Sequence, residues 1–411
     1  METITHQENG ESIAQSHTGL ARLIAPLDIA TFQNEFFEKK PLLIRRENRE
    51  YYADLLTLDN VDEILSLSSL QNEDVRVAAE GSIVSLDDRL AFGAHGSTNA
   101  QEAVYASYRD GATIIMDGLH HRWAPLQRLV QAIGTETNAK FQVNTYLTPG
   151  GGAQGFKPHQ DNHDVFVAQA HGVKRWALYG PRFELPLKHM NHQIPVEQYG
   201  EPVHEFDLRP GDLLYLPRGT VHAARSTDTA SLHLTFGARP VLRSTLLMEA
   251  IEQVITADVR FRRGLPLGFV SDKELSRQAE EDLAGLIGAL AERLSAAGML
   301  ESAITQAISI NAPELRNHLT DLERLDSMDL DTGVSRRSDI RWDMRKSDKS
   351  VQLHFHNKIV ELPVHVADEV RFAAEGTEPS FTARTLPGQL DDSGRLVLIR
   401  TLVREGFLTF A

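Results

Sequence analysis

The stretch from Phe141 to about Pro240 constrains the fold more than any other part of the chain. The segments FQVNTYLTP, GGGAQGFK, DVFVAQA, RWALYGP, GDLLYLPRG, HAARS and SLHLTFGA follow one another as short alternating or apolar strands with Gly and Pro turns between them. Strands spaced this closely predict an antiparallel barrel or jelly roll and argue against alternating βαβ units.

The flanks read differently. Residues 1–18 carry few apolar side chains and no periodicity, and are expected to form a mobile tail. Asp28 is placed to cap a helix with Ile29, Phe32, Phe36 and Phe37 facing inward, and Pro41 ends it before a strand over 42–44. Helices over 61–67 and 100–109, the latter capped by Asn99, a strand over 113–116 and a helix over 120–133 complete an α/β flank. One domain over 19–240 is therefore expected. Beyond it LRSTLLMEAIEQVI, DKELSRQAEEDLAGLIGALAERLSAAGML and APELRNHLTDLERL show helical periodicity, giving a helical domain over 241–330. Within it, a helix over 280–297 lines up Leu283, Leu286, Leu290 and Leu294, a face that packs inside the domain or against a second subunit. The remainder, 331–411, offers two strands (RWDMR and VQLHFHNKIVEL), two helices (HVADEVRFAAEG and SGRLVLIRTLVREG) and a closing FLTF strand. That order predicts a winged-helix-like α+β module.

Composition removes several kinds of chemistry. The chain has no cysteine, which excludes disulfides, thiolate-held zinc or iron–sulfur clusters, and a cysteine nucleophile. METITHQENGES is polar and acidic where a secretory signal needs a basic then an apolar region, and no run of about 20 apolar residues follows. A cytoplasmic protein without membrane contact is expected. With 42 Lys+Arg against 57 Asp+Glu, the net charge of −15 disfavours nucleic acid and suits basic protein or peptide partners. In the last module Glu361, Asp368, Glu369, Glu375, Glu378, Asp391 and Asp392 oppose phosphate further, so protein contact is the expected role there.

The segment KPHQDNHDVFV carries the chemistry. On a strand, His159 and Asp161 leave the same face with Cα atoms about 6.6 Å apart, close enough to share one metal ion. A second imidazole, His222, arrives through GDLLYLPRGTVH, where turns on either side of an apolar strand deliver it to the barrel. Two imidazoles and a carboxylate form a facial triad that leaves three positions of Fe(II) open for a bidentate cosubstrate and dioxygen. His-x-Asp alone is a weak signal. The glycine-rich approach, the apolar strand that follows, a later basic residue and the delivery segment strengthen it by falling in the right order.

These residues, NTYLTPGGGAQGFKPHQDNHDVFVAQAHGVKRWALYGP, PGDLLYLPRGTVHAA and SLHLTFG, together with FFEKKPLLIRR near the start, resemble the JmjC-domain 2-oxoglutarate oxygenases, in particular the ribosomal-oxygenase branch. The resemblance implies a double-stranded β-helix of the cupin type, iron held by His159, Asp161 and His222, and hydroxylation of an Arg or His side chain in a ribosomal protein. It assigns Lys174 to the distal carboxylate of 2-oxoglutarate. Strand alternation admits only one of Lys174 and Arg175 to the barrel, and a buried ammonium needs a partner such as that dicarboxylate. Asn144 and Tyr146, two apart, are carried over as cosubstrate and substrate pocket residues; without the resemblance they are a polar strand residue and a core aromatic. It also implies a homodimer through the helical middle region.

Other residues stay outside this assignment. His163 lies two beyond Asp161, but on a straight strand three such residues span about 13 Å, too far for one ion, which places His163 at the pocket mouth. His233 reads as a hydrogen-bonded core histidine, and Asp164 as a residue that orients its strand or a substrate group. Animal members of the family place a serine where this chain has Gly237, a departure that bears on the substrate more than on the iron. Two rival functions remain: an oxygenase acting on methyl-lysine or a peptide metabolite, and a non-catalytic metal-binding cupin-like protein.

Overall fold

The computed structural model describes residues 1–6, 18–67, 75–79, 81–84, 100–180, 183–190, 198–310, 315–338, 340–376 and 378–411. It divides into two compact units, Met1–Arg239 and Pro240–Ala411.

The strands of the first unit are β1 (Glu2–His6), β2 (Leu42–Arg46), β3 (Val75–Ala79), β4 (Ser82–Val84), β5 (Thr113–Met116), β6 (Lys140–Thr148), β7 (Asp164–His171), β8 (Lys174–Leu178), β9 (His204–Leu208), β10 (Leu213–Leu216), β11 (His222–Ser226) and β12 (Ser231–Arg239). Nine form one sheet in the order β1-β2-β10-β7-β12-β6-β5-β3-β4, and β11-β8-β9 form a second. Apart from the parallel β1–β2 edge, the pairs are antiparallel. The two sheets make the double-stranded β-helix of the JmjC/cupin type.

Alternation along the central strands explains both layers of packing. On β12, Leu232, Leu234, Phe236 and Ala238 enter a core shared with the helices α1 (Gly19–Ile24), α2 (Leu58–Leu67), α3 (Ala100–Arg109) and α4 (Ala124–Thr137) through Leu20, Leu23, Ile24, Leu65, Val104, Leu126 and Ile133. His233, Thr235 and Gly237, on the other face, line the barrel cavity. Strand β7 is buried on both faces: Phe166 and Ala168 pack toward the helices, Val165 and Val167 toward Trp176 and Leu178 of the second sheet. A strand clamped on both sides needs an apolar run, here Val165–Ala168. Arg46, 6% exposed, ties the flank down by donating to the carbonyls of Leu23 (2.7 Å), Ala25 (2.6 Å) and Gly211 (2.9 Å) and to the Tyr52 hydroxyl (2.8 Å).

Several expectations change in detail. The segment expected as a mobile tail opens with β1, whose Ile4 packs on the core; residues 7–17, and the cap expected at Asn99, lie outside the described residues. Asp28 does cap its helix, accepting from the Thr31 amide at 2.9 Å. GGGAQGFK forms no strand. The helix expected over 120–133 is a 3-10 turn at Leu119–His121 followed by α4, because Pro125 stands in the first turn of α4 and favours a fresh start there.

The second unit holds α5 (Arg243–Ala257), α6 (Lys273–Arg293), α7 (Ala296–Ile310) and α8 (His318–Arg324), then β13 (Val334–Arg336), β14 (Trp342–Lys346), β15 (Ser350–Phe355), β16 (Lys358–Pro363), α9 (Ala367–Glu375), α10 (Asp392–Arg404) and β17 (Leu408–Phe410). The long helical segment breaks at Leu294, which has an extended backbone. VQLHFHNKIVEL, expected as one strand, folds into a hairpin because His356 turns the chain at φ 53°. Glu369, counted among the surface acids, is fully buried. No single helix among the described residues is long and apolar enough to cross a membrane.

Candidate metal centre and cosubstrate pocket

His159 and Asp161 sit not on a strand but in the loop before β7. An isolated bridge holds His159 against His222: each backbone amide donates to the other's carbonyl, at 3.0 and 2.8 Å. The Gly219 amide donates to the Asp161 carbonyl at 2.9 Å, fastening the second half of the pair to the turn that precedes His222. The two-residue spacing therefore matters less than this cross-link between loops distant in sequence.

The side chains converge. Ligand atoms of His159, Asp161 and His222 all lie within 4.8 Å of one another, and the His222 Nε2 is 3.6 Å from Asp161 Oδ2. Each histidine Nδ1 faces a backbone carbonyl, Lys157 for His159 (2.8 Å) and Thr220 for His222 (2.9 Å). A carbonyl only accepts, so each Nδ1 carries the proton and each Nε2 keeps its lone pair for a metal. Burial, reinforced by His159, holds His222 below the ordinary imidazole value and hence neutral. Burial pushes the Asp161 carboxyl up, but the three neighbouring imidazoles and Arg239 outweigh it and keep it below the usual range. Two imidazole Nε2 atoms beside an ionised carboxylate are the donor set that Fe(II) takes with open positions to spare. His163 contributes no atom to this group.

The triad borders a cavity of about 200 Å³, open at its mouth, that is lined by every predicted site residue. Lys174 is 5% exposed, and its Nζ donates to the Thr148 hydroxyl at 2.9 Å. Among the described residues no carboxylate pairs with it, and burial lowers its pKa from 10.5 to about 7. Arg175, its neighbour, points outward to Asp207 at 2.9 Å. A buried cation with only a neutral partner fits an acid group brought by a ligand. Asn144 accepts from the Gly118 amide (3.0 Å) and the Gln142 side chain (3.1 Å), which fixes its amide at the cavity wall. Tyr146 stacks on His233 with centroids 4.8 Å apart, and burial raises its hydroxyl to about 12.

His233 thus differs from expectation: it lines the cavity, and its Nδ1 has no hydrogen-bond partner among the described residues. Asp164 is buried away from the cavity, accepting from Tyr215 (3.0 Å) and from the amide and guanidinium of Arg218 (3.3 and 3.1 Å), and so braces the turn before His222. Sequence reasoning missed Thr148, Thr235, Trp176, Gln142 and Arg239 around the cavity. The alternation of β6 and β12 around Asn144, Tyr146 and His233 marks Thr148, Thr235, Gln142 and Arg239, once the inward face is known.

The pattern that describes the JmjC domain matches residues 119–246, a span containing the triad, Lys174 and both inner-wall strands. Those residues form a JmjC domain. It is 26% identical to the bifunctional lysine-specific demethylase and histidyl-hydroxylase NO66 of Dictyostelium discoideum, over 95% of this chain and 82% of that one. It is 32% identical to ribosomal oxygenase 1 of Danio rerio, over 63% of this chain but 48% of the relative, so it spans about half the length of that protein. Among solved structures it is similar to Escherichia coli ycfD, with TM-score 0.51, 17% identity, 94% of this chain and 99% of that one, a likeness of fold. The JmjC barrel accounts for the placement of the triad between two sheets.

Proposed function

We propose that this chain is an Fe(II)- and 2-oxoglutarate-dependent dioxygenase that hydroxylates a protein side chain, an Arg or His of a ribosomal protein. The observation that carries the reading is the union, in one cavity, of a two-His, one-carboxylate set whose Nε2 atoms point away from the backbone carbonyls and a buried Lys174 that lacks an acid partner among the described residues. His159, Asp161 and His222 hold the metal. The Lys174 ammonium and the Thr148 hydroxyl receive the distal carboxylate of the cosubstrate. With both bound, dioxygen converts 2-oxoglutarate to succinate and carbon dioxide and a substrate C–H to C–OH. The rings of Trp176, Tyr146 and His233 exclude water around the metal, and the fixed amide of Asn144 orients the acceptor. Relatives named as ribosomal oxygenases support the substrate class.

The reading extends to a cytoplasmic homodimer that contacts neither membrane nor nucleic acid. The net charge of −15 supports the last point. Exposed apolar side chains on the middle helices, Leu283 (47%), Ile287 (68%) and Leu300 (62%), support a second copy, although Leu286, Leu290 and Leu294 of the predicted face are themselves partly buried. Anaerobic titration with Fe(II) and 2-oxoglutarate tests the core of the proposal. A visible charge-transfer band in the wild type that vanishes in His222→Ala is the expected result. Well-folded wild type without the band would leave a metal-binding protein of another kind.

A further inference from the structure

Gly237 lies inside β12, paired with Gln142 on β6 and Val165 on β7. Its backbone is not in the left-handed region, so conformational freedom is not what calls for a glycine, and a glycine weakens a strand interior. Close approach explains it. A Cβ built on Gly237 would stand 2.7 Å from both Cδ2 and Nε2 of His163, well inside contact distance. The imidazole occupies the volume that a side chain at 237 would fill.

His163 comes from the loop that supplies the metal-binding pair, yet stays outside the ligand group while bordering the same cavity. The cross-strand pairs Ser231–Thr148, His233–Tyr146, Thr235–Asn144 and Gly237–Gln142 form a ladder. It runs from the Lys174 partner at one end to His163 and Arg239 at the other. His163 is thus at the end of the cavity opposite the cosubstrate lysine. A flat ring there offers a face for stacking and polar nitrogens at its edge, which suits a planar polar acceptor side chain.

We propose that His163 is a specificity-determining residue: seated in the space Gly237 leaves, its ring forms the wall that holds the substrate's reacting side chain over the triad. This rests on the oxygenase reading. The test uses total ribosomal protein, extracted from cells of the source organism that lack this chain, as the probe, and reads addition of 16 Da by intact mass. His163→Ala and Gly237→Ser are each expected to slow that addition at least tenfold through a higher apparent KM, while the Fe(II)–2-oxoglutarate band keeps its wild-type titration midpoint. Introducing Gly237→Ser into His163→Ala is expected to change the rate less than twofold further, because the ring it would displace is gone. His163→Asn replaces the alanine variant if that one is unstable. Wild-type rates in both single variants would overturn the proposal. A wild type that gives no band or adds no mass would instead overturn the oxygenase reading beneath it.

Discussion

Lys174 is stabilising for the ligand and destabilising for the empty protein, and the two effects separate in one substitution. Its side chain is buried, its partner is the neutral Thr148 hydroxyl, and burial brings its pKa from 10.5 to about 7. The unfolded chain keeps that proton up to its ordinary value, so between about pH 7 and 10.5 the unfolded state binds more protons and stability rises with pH. At pH 6.5 the native site carries the charge, at a penalty of order 5 kcal/mol, the free energy that corresponds to bringing the ammonium from 10.5 down to about 7. Lys174→Met keeps the length and removes the charge. Without ligand, this variant is expected to be more stable than wild type at pH 6.5 and to lose the rise in melting temperature between pH 7 and 9. Its affinity for 2-oxoglutarate is expected to collapse. In wild type that affinity should weaken roughly fifteenfold from pH 7.0 to 8.5, as the free site loses its proton. Thermal melts of metal-free protein across the pH range, alongside cosubstrate titrations by the charge-transfer band, read both effects. A methionine variant that is less stable at pH 6.5, or that binds 2-oxoglutarate within threefold of wild type, would refute the reasoning.

Three further outcomes are expected. His222→Ala should lose Fe(II) binding by at least two orders of magnitude in calorimetric titration, since it removes one of three ligands, while its backbone bridge to His159 preserves the fold. Arg46→Ala should lower unfolding free energy by about 3–5 kcal/mol in chemical denaturation, because the Leu23, Ala25 and Gly211 carbonyls lose their shared buried donor. In the second unit Arg337 meets Asp321 at 2.6 Å, both buried, and Arg337→Leu should cost about 3–5 kcal/mol by stranding the carboxylate, a loss that Arg337→Leu with Asp321→Leu should partly recover.

The barrel and its donor residues are legible in the sequence, but the physical route to them is not. The spacing of His159 and Asp161 predicts neighbours on a strand; they converge because a bridge ties their loop to His222, a pairing between distant segments that no local spacing encodes. Alternation on SLHLTFGAR marks two faces of β12 without saying which is inside, since the ordinary expectation sends apolar residues inward. Here Leu232, Leu234 and Phe236 turn outward to a helix layer, and the polar set turns into the cavity. The hairpin at His356 is hidden because its turn carries no glycine. Lys174 is the instructive contrast: alternation alone leaves it level with Arg175, the family resemblance chooses between them, and the structure supplies the physical reason, because Arg175 has a surface carboxylate, Asp207, and Lys174 faces the cavity with only a neutral partner. A strand that carries two cations side by side into a barrel wall thus locates an anion site inside it whenever an acid on the next strand claims one of them.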